Sequence, residues 1–195
     1  MKGEHGFTLV ELLVVIAIIG VLAAIIAPNA FNAIEKAKIT RAIGDLHTLK
    51  TSTLQYYSDV GIWPPDVGPG IDPGFMHPYP WDPSTGVEDP NLVWPGQGLP
   101  SDWTDIVDEK WDGPYIEKWP YRNPWGVDRG YDYDNWTTVG PSAYRGSISV
   151  TIENLPSSVH ERILRLANEG KFPYRIIETP PTGRNLSALI LENAE

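Results

Sequence analysis

The sequence predicts an α+β protein with one very long N-terminal helix, a loop-rich middle and a strand-rich last third. Three observations carry this. Residues 12–34 contain no charged side chain, and an apolar stripe continues beyond them at helical spacing. Residues 62–110 crowd turn signals into "WPPDVGPGIDPG", "HPYPWDPSTG" and "VWPGQGLPSDW". The last third alternates apolar and polar residues in short runs bounded by turn residues.

The composition bounds the function. The chain has 195 residues and a formal net charge of -10, so its bulk surface is a poor match for nucleic acid. There is no cysteine, which excludes a disulfide framework, a thiolate metal site and a cysteine nucleophile. The 19 Pro and 18 Gly predict long irregular stretches, while 8 Trp argue against disorder.

The first helix opens with a run long enough to span a bilayer, which takes roughly 20 helical residues. A secretory signal peptide fits badly, because Lys2 is the only basic residue ahead of the run and Glu11 sits inside it. An ordinary membrane anchor explains the length and leaves Glu11 unexplained. A buried core helix is out of place at this end of a small chain. A carboxylate in a membrane helix is costly and wants a cation, and none follows Glu11 within twenty residues.

These residues reach a known family. The run "GFTLVELLVVIAIIGVLAAIIAP", Gly6 to Pro28, resembles the N-terminus of class III signal proteins, the type IV pilins and the pseudopilins of type II secretion systems. The resemblance implies a type IV pilin-like fold: a long N-terminal helix packed on a small antiparallel β-sheet domain, with a long Pro/Gly/Trp-rich αβ loop. It implies that a prepilin peptidase removes residues 1–6 by cutting after Gly6 and then methylates Phe7. It further implies that Glu11 pairs with the α-amino group of a neighbouring subunit's Phe7, which supplies the missing cation and sets the register of assembly. Gly6 suits a cut site because its bare backbone admits a protease closely. Gly20 and Pro28 are weak points of the helix, Pro28 through its missing backbone donor. Helical pattern on both sides of Pro28 favours a continuous, loosened helix over one that ends there.

Residues 7–30 are thus expected to form the transmembrane and filament-core helix, and residues 31–60 its amphipathic continuation. The continuation is read from Ile39, Ile43, Leu46, Leu49, Leu54 and Tyr57, with Lys36, Lys38, Arg41, Asp45 and Lys50 opposite. Gly61 followed by Pro64 and Pro65 should end it. From Thr8 to Asp59 such a helix would run roughly 75–80 Å at 1.5 Å per residue.

Residues 61–146 read as a loop with a pseudopilin-like core. No helix or strand periodicity is visible over 62–110, and the Trp residues there are expected to fasten the loop by packing. "WDGPYIEKWPYRNPWG" resembles a segment of major pseudopilins, with Asn123 where the family has aspartate; Asn still caps a turn. Trp119 or Trp125 is expected on the long helix. "YDYDN" should form a strand with Tyr131 and Tyr133 on one face and Asp132 and Asp134 on the other. Residues 147–195 read as strand, helix, strand, strand, with a capping box from Ser158 to Glu161 and a "PPTGRN" turn.

Several chemistries are weighed and set aside. Asp128, Asp132 and Asp134 offer a local site for a hard cation such as calcium, against which a solvated acidic face is the commoner role. Asp102, Asp105, Asp108, Glu109 and Asp112 lie among ordinary loop residues, and no glycosidase-like acid–base pair stands out. The four histidines show no metal-ligand spacing. "NWT" at Asn135 and "NLS" at Asn185 match the short N-glycosylation pattern.

No catalysis and no cofactor are therefore expected. The expected role is a filament subunit that polymerises with itself, held first in the bacterial inner membrane by a single pass and later in a periplasmic pseudopilus or an extracellular pilus. The resemblance implies an assembly ATPase, platform machinery and minor pilins as partners. The rival is a membrane-anchored carbohydrate-binding or adhesion module that does not polymerise.

Overall fold

A computed structural model describes residues 7–138, 145–178 and 185–192. The chain divides into two units, Met1–Lys38 and Ile39–Glu195. Helix α1 (Leu9–Val60) runs without interruption through Pro28. Up to Lys38 its long apolar side chains are exposed, from Phe7 to Ile34. It is the one helix among the described residues long and apolar enough to cross a membrane.

In the second unit α1 packs against an antiparallel sheet. The buried stripe is Ile39, Ala42, Leu46, Leu49, Ser52, Thr53, Tyr56 and Val60. This corrects the expected stripe at its far end: Leu54 is 43% exposed, and Tyr57 turns out to stack on Trp63 at 3.9 Å. The steps of three and four from Leu49 lead to Ser52, Thr53, Tyr56 and Val60. Two of these are hydroxyl residues that an apolar count skips. Their burial is tolerated because Ser52 Oγ and Thr53 Oγ1 donate to the carbonyls of Thr48 and Leu49, four residues back. Gly61 closes α1 with a φ of 82° and donates to the Tyr57 carbonyl.

The middle segment holds more structure than its turn signals suggest. Strands β1 (Trp81–Asp82) and β2 (Val87–Glu88) form a short hairpin, and Trp103–Lys110 forms helix α2. The expectation of no helix or strand over 62–110 is therefore corrected. Two-residue strands and an eight-residue helix that buries only Val107 are too short to leave a period in the sequence. Buried Asp72 ties down one turn, accepting from the Phe75 and Met76 amides at 3.0 and 2.9 Å. The tryptophans pack as expected, with one exception. Trp119 is 1% exposed beside Phe75, Trp111 donates to the Gly74 carbonyl, and Trp103 meets Tyr79 edge-on, whereas Trp94 is 60% exposed.

The sheet contains β3 (Tyr131–Asn135), β4 (Ile148–Ile152), β5 (Arg175–Glu178) and β6 (Leu186–Leu191) in the order β3-β4-β6-β5, all antiparallel. Helix α3 (Ser157–Asn168) connects β4 to β5. It begins two residues earlier than the proposed capping box requires, with Pro156 rather than Ser158 at the N-cap. No side chain caps it; instead the Val159 and His160 amides donate to the Pro156 carbonyl. Gly170 ends it with a φ of 66°. The "PPTGRN" turn lies outside the described residues.

Alternation along β3 is as expected: Tyr131 and Tyr133 are buried in the core shared with α1, and the Tyr131 hydroxyl donates to Asp45 at 2.7 Å. The far side of β3 is not a solvated acidic face. Asp132 and Asp134 line a cavity of about 170 Å³ together with Asp66, Trp94 and Trp136. Asp134 accepts from Ser149 Oγ and Thr151 Oγ1 on the neighbouring strand, at 3.1 and 2.8 Å. The register that pairs Asp134 with Ser149 and Asp132 with Thr151 delivers those hydroxyls.

Candidate assembly site

The residues singled out for processing and assembly are Gly6, Phe7, Glu11, Gly20 and Pro28. Gly6 lies outside the described residues. Phe7 is 81% exposed. Glu11 sits in the first turn of α1, where the exposed helix N-terminus favours an anion. Its Oε2 accepts from the Thr8 amide at 2.8 Å and from Thr8 Oγ1 at 2.7 Å. The Glu11 amide in turn donates to Thr8 Oγ1 at 3.3 Å. This reciprocal pair is a capping box, and it satisfies amides that the helix leaves without partners. The sequence reading starts the helix at Thr8 but assigns it no capping role, although Thr-x-x-Glu directly ahead of an apolar run is the signature of this motif.

Gly20 has open space around it, with nothing within 4 Å of an added Cβ. Pro28 lies inside α1 and brings no N–H, so the Ala24 carbonyl has no donor four residues on. The helix is continuous there and one bond short. From Phe7 to Ile34 the long apolar side chains are exposed, and no other described part of this unit covers them. A surface of this kind is buried in lipid or against other helices.

The other candidate residues sort differently. Asp128 is held by Arg122 at 2.6 Å and stands apart from the cavity that contains Asp132 and Asp134. Among the described residues no three acids or histidines are placed to hold a metal ion. Asp102, Asp105, Asp108, Glu109 and Asp112 are exposed on and around α2. Asn135 is 6% exposed and its Nδ2 donates to the Pro64 carbonyl at 2.7 Å, so the nitrogen a glycan would need is buried and in use. Asn185 Nδ2 is likewise bound to Glu153 at 2.6 Å.

The N-P-W-G turn is built around Asn123, which is 2% exposed. Its Oδ1 accepts from the Trp125 and Val127 amides at 3.0 and 3.2 Å, as a turn-capping residue does. Its Nδ2 donates to the Glu153 carbonyl just after β4, at 2.9 Å.

Comparison with known proteins gives these features a family. The prokaryotic N-terminal methylation motif matches residues 1–27, and the C-terminal family of PilW matches residues 33–90. The fimbrial protein EcpC of Eikenella corrodens is 43% identical over 63 residues, 32% of this chain and 41% of that protein. The type IV major pilin PilE of Neisseria gonorrhoeae is 41% identical over 63 residues, 32% of this chain and 38% of that protein. The chain thus spans about two-fifths of the length of these two relatives. The type II secretion system core protein G of Pseudomonas aeruginosa is 29% identical over 140 residues, 72% of this chain and 80% of that protein. No solved structure matches. The chain thus carries the N-terminal methylation motif and is similar to type IV pilins and type II secretion pseudopilins, which are structural rather than enzymatic proteins.

Proposed function

We propose that this protein is the structural subunit of a type IV pilus-like filament, stored in the bacterial inner membrane and polymerised through the first half of α1. The carrying observation is Glu11, a carboxylate at the start of a helix segment that is otherwise apolar and exposed on every side. Burial of that surface among the helices of other subunits supplies the driving force. Cleavage between Gly6 and Phe7 would create a new α-amino group one residue before Thr8. Methylation on nitrogen keeps that amine basic, so a cation remains available to a neighbour's Glu11. Both of Glu11's bonds to Thr8 use Oε2. The carboxylate can therefore cap its own helix and still offer Oε1 to an incoming ammonium. A misplaced neighbour would leave a charge buried and unpaired, which is how one axial offset is selected. Prepilin peptidase, an assembly ATPase with its platform, and minor pilins are the partners this role requires.

A secretion-type pseudopilus is the form we favour. The likeness to core protein G extends over 140 residues, more than α1 can account for, so it takes in part of the second unit. The pilin relatives match over 63 residues.

Two substitutions of Glu11 test the role. Glu11→Gln keeps an acceptor for Thr8 and removes the charge, while Glu11→Ala removes both. If the charge pairs with a neighbour, both variants remain in the membrane at normal levels and both lose filaments. Filaments from Glu11→Gln at wild-type abundance would mean that Glu11 only caps its helix. An anchored carbohydrate-binding module would keep its glycan binding in both variants and never form filaments.

A further inference from the structure

Residues 64–70 form a strap fastened along β3, the end strand of the sheet. Two bonds tie it to the strand. The Gly70 amide donates to the Tyr131 carbonyl at 2.7 Å, and Asn135 Nδ2 donates to the Pro64 carbonyl at 2.7 Å. Residues 93–97 brace the strap between these ties. The Trp94 amide donates to the Asp66 carbonyl at 2.8 Å, Gln97 Oε1 accepts from the Asp66 amide at 2.6 Å, and Val67 bridges to Val93. Pro64, Pro65 and Val67 are buried, so apolar contact also holds the strap down.

Against this hold works the charge underneath. Asp66 of the strap shares the cavity of about 170 Å³ with Asp132 and Asp134 of β3, between Trp94 and Trp136. From β4 come Ser149 Oγ and Thr151 Oγ1, both bonded to Asp134, and Thr151 Oγ1 also meets Ser187 Oγ of β6. Glu153, just after β4, is bound by Asn185 Nδ2, and its charge reaches Asp132 and Asp134. Among the described residues, none of these four acids takes part in an ion pair. Asp132 Oδ1 is buried with no hydrogen-bond partner, a poor setting for an ionised, acceptor-only carboxylate. Like charges sharing one small cavity without a cation do not all ionise near neutral pH. Burial pushes all three cavity carboxyls upward, the direction this geometry requires.

We propose that residues 64–70 are a pH-sensitive strap, latched on β3 while the Asp66, Asp132 and Asp134 cluster holds a proton and released as the cluster ionises. Release moves Asp66 away from the two acids of β3 and lets water reach all three. The closed strap holds a proton that the open one gives up, so opening becomes easier as pH rises, by about tenfold per pH unit for each proton held. The window begins above the ordinary Asp value near 3.9, and the strap is tightest in mild acid. The switch does not depend on filament assembly, and failure of either reading leaves the other standing.

Hydrogen–deuterium exchange of the full-length protein in detergent tests the switch, read by mass spectrometry and corrected for the intrinsic pH dependence of exchange. Peptides containing the Gly70 and Trp94 amides report on the strap, and peptides from β6 report on the whole unit. Strap protection should fall about a hundredfold from pH 6 to pH 8, for one proton released. At pH 8 it should lie well below that of β6, because local opening precedes global unfolding. Asp66→Asn removes the charge of the strap and Asp132→Asn that of one facing acid. Each should cut the fall to tenfold or less, and if one variant does not fold the other decides. Strap protection that stays flat with pH in the parent overturns the switch. Protection equal to that of β6 also overturns it, since the strap would then open only with the whole unit. A variant that keeps the parent's full fall does the same. Calcium ions or 1,4-diaminobutane restoring protection at pH 8 would make the cluster a cation site and overturn the proton switch.

Discussion

Asn123 shows how much one side chain can settle. Its carbonyl oxygen does what the family's aspartate would do, accepting from two turn amides. Its Nδ2 does something an aspartate cannot, donating to the Glu153 carbonyl. Asn123→Asp would keep the turn acceptors, lose that donor and bury a charge beside a carbonyl. It should cost about 1–3 kcal/mol, and thermal unfolding in detergent should show a Tm lower by roughly 2–4 °C for each of those. An unchanged Tm would mean that the Glu153 contact contributes nothing. The acceptor role was legible in the sequence, because Asn before Pro is a turn signal in itself. The donor role was not, because Glu153 is thirty residues away and only the β3–β4 pairing brings it close. At Thr8 the situation is reversed. Its partner is three residues on, and the capping signal stands in the sequence beside the better-known glutamate.

Among the elements, those with long periods were readable and those whose partners come from elsewhere were not. The end of α1 at Gly61, the alternation of β3 and the strands of the last third follow from local pattern. The stripe of α1 beyond Leu49 does not, because the buried positions there are partly Ser and Thr whose hydroxyls bond to the preceding turn. The acids of β3 are the clearest case. Tyr-Asp alternation gives the two faces, but it cannot say that the Asp face is covered by the loop carrying Asp66 and Trp94. Burial pushes the Asp66 carboxyl up to about 8, helped by the charge of Asp134. Burial and neighbouring carboxylates, Glu153 included, push Asp132 and Asp134 up as well. An ordinary Asp titrates near 3.9. Between that value and the folded one, the folded state holds protons that the unfolded chain has released, so stability falls as pH rises through this window. The Tm should therefore be higher at pH 5.5 than at pH 8. Asp132→Asn should raise the Tm at pH 8 and flatten the profile, by an amount on the order of 1–2 kcal/mol. A profile that rises toward pH 8, or a variant less stable than the parent there, would show that the three acids are not held close together in the folded protein.

At the scale of the whole molecule, the chain combines a half-helix that nothing described in its own unit covers with a second unit that has its own hydrophobic core. Its surface chemistry has the same two-part character. On the proposed function, the apolar segment would give adhesion without direction, and Glu11 would give that adhesion a register. Pro28 removes one backbone bond within the apolar segment, at a point where α1 is continuous and contributes no core residue. The identity of the family was legible from some twenty residues, because a single carboxylate in a spanning run is rare enough to be diagnostic. The architecture of the second unit was less so, since its loop is held by aromatic contacts between residues far apart in sequence. The central claim is that this chain becomes a filament subunit by being cut after Gly6. The most direct measurement is mass spectrometry of the intact chain, taken from filaments sheared off cells and from the membrane fraction. The account predicts a chain that begins at N-methylated Phe7 in both fractions. A filament or membrane chain that still begins at Met1 would contradict it.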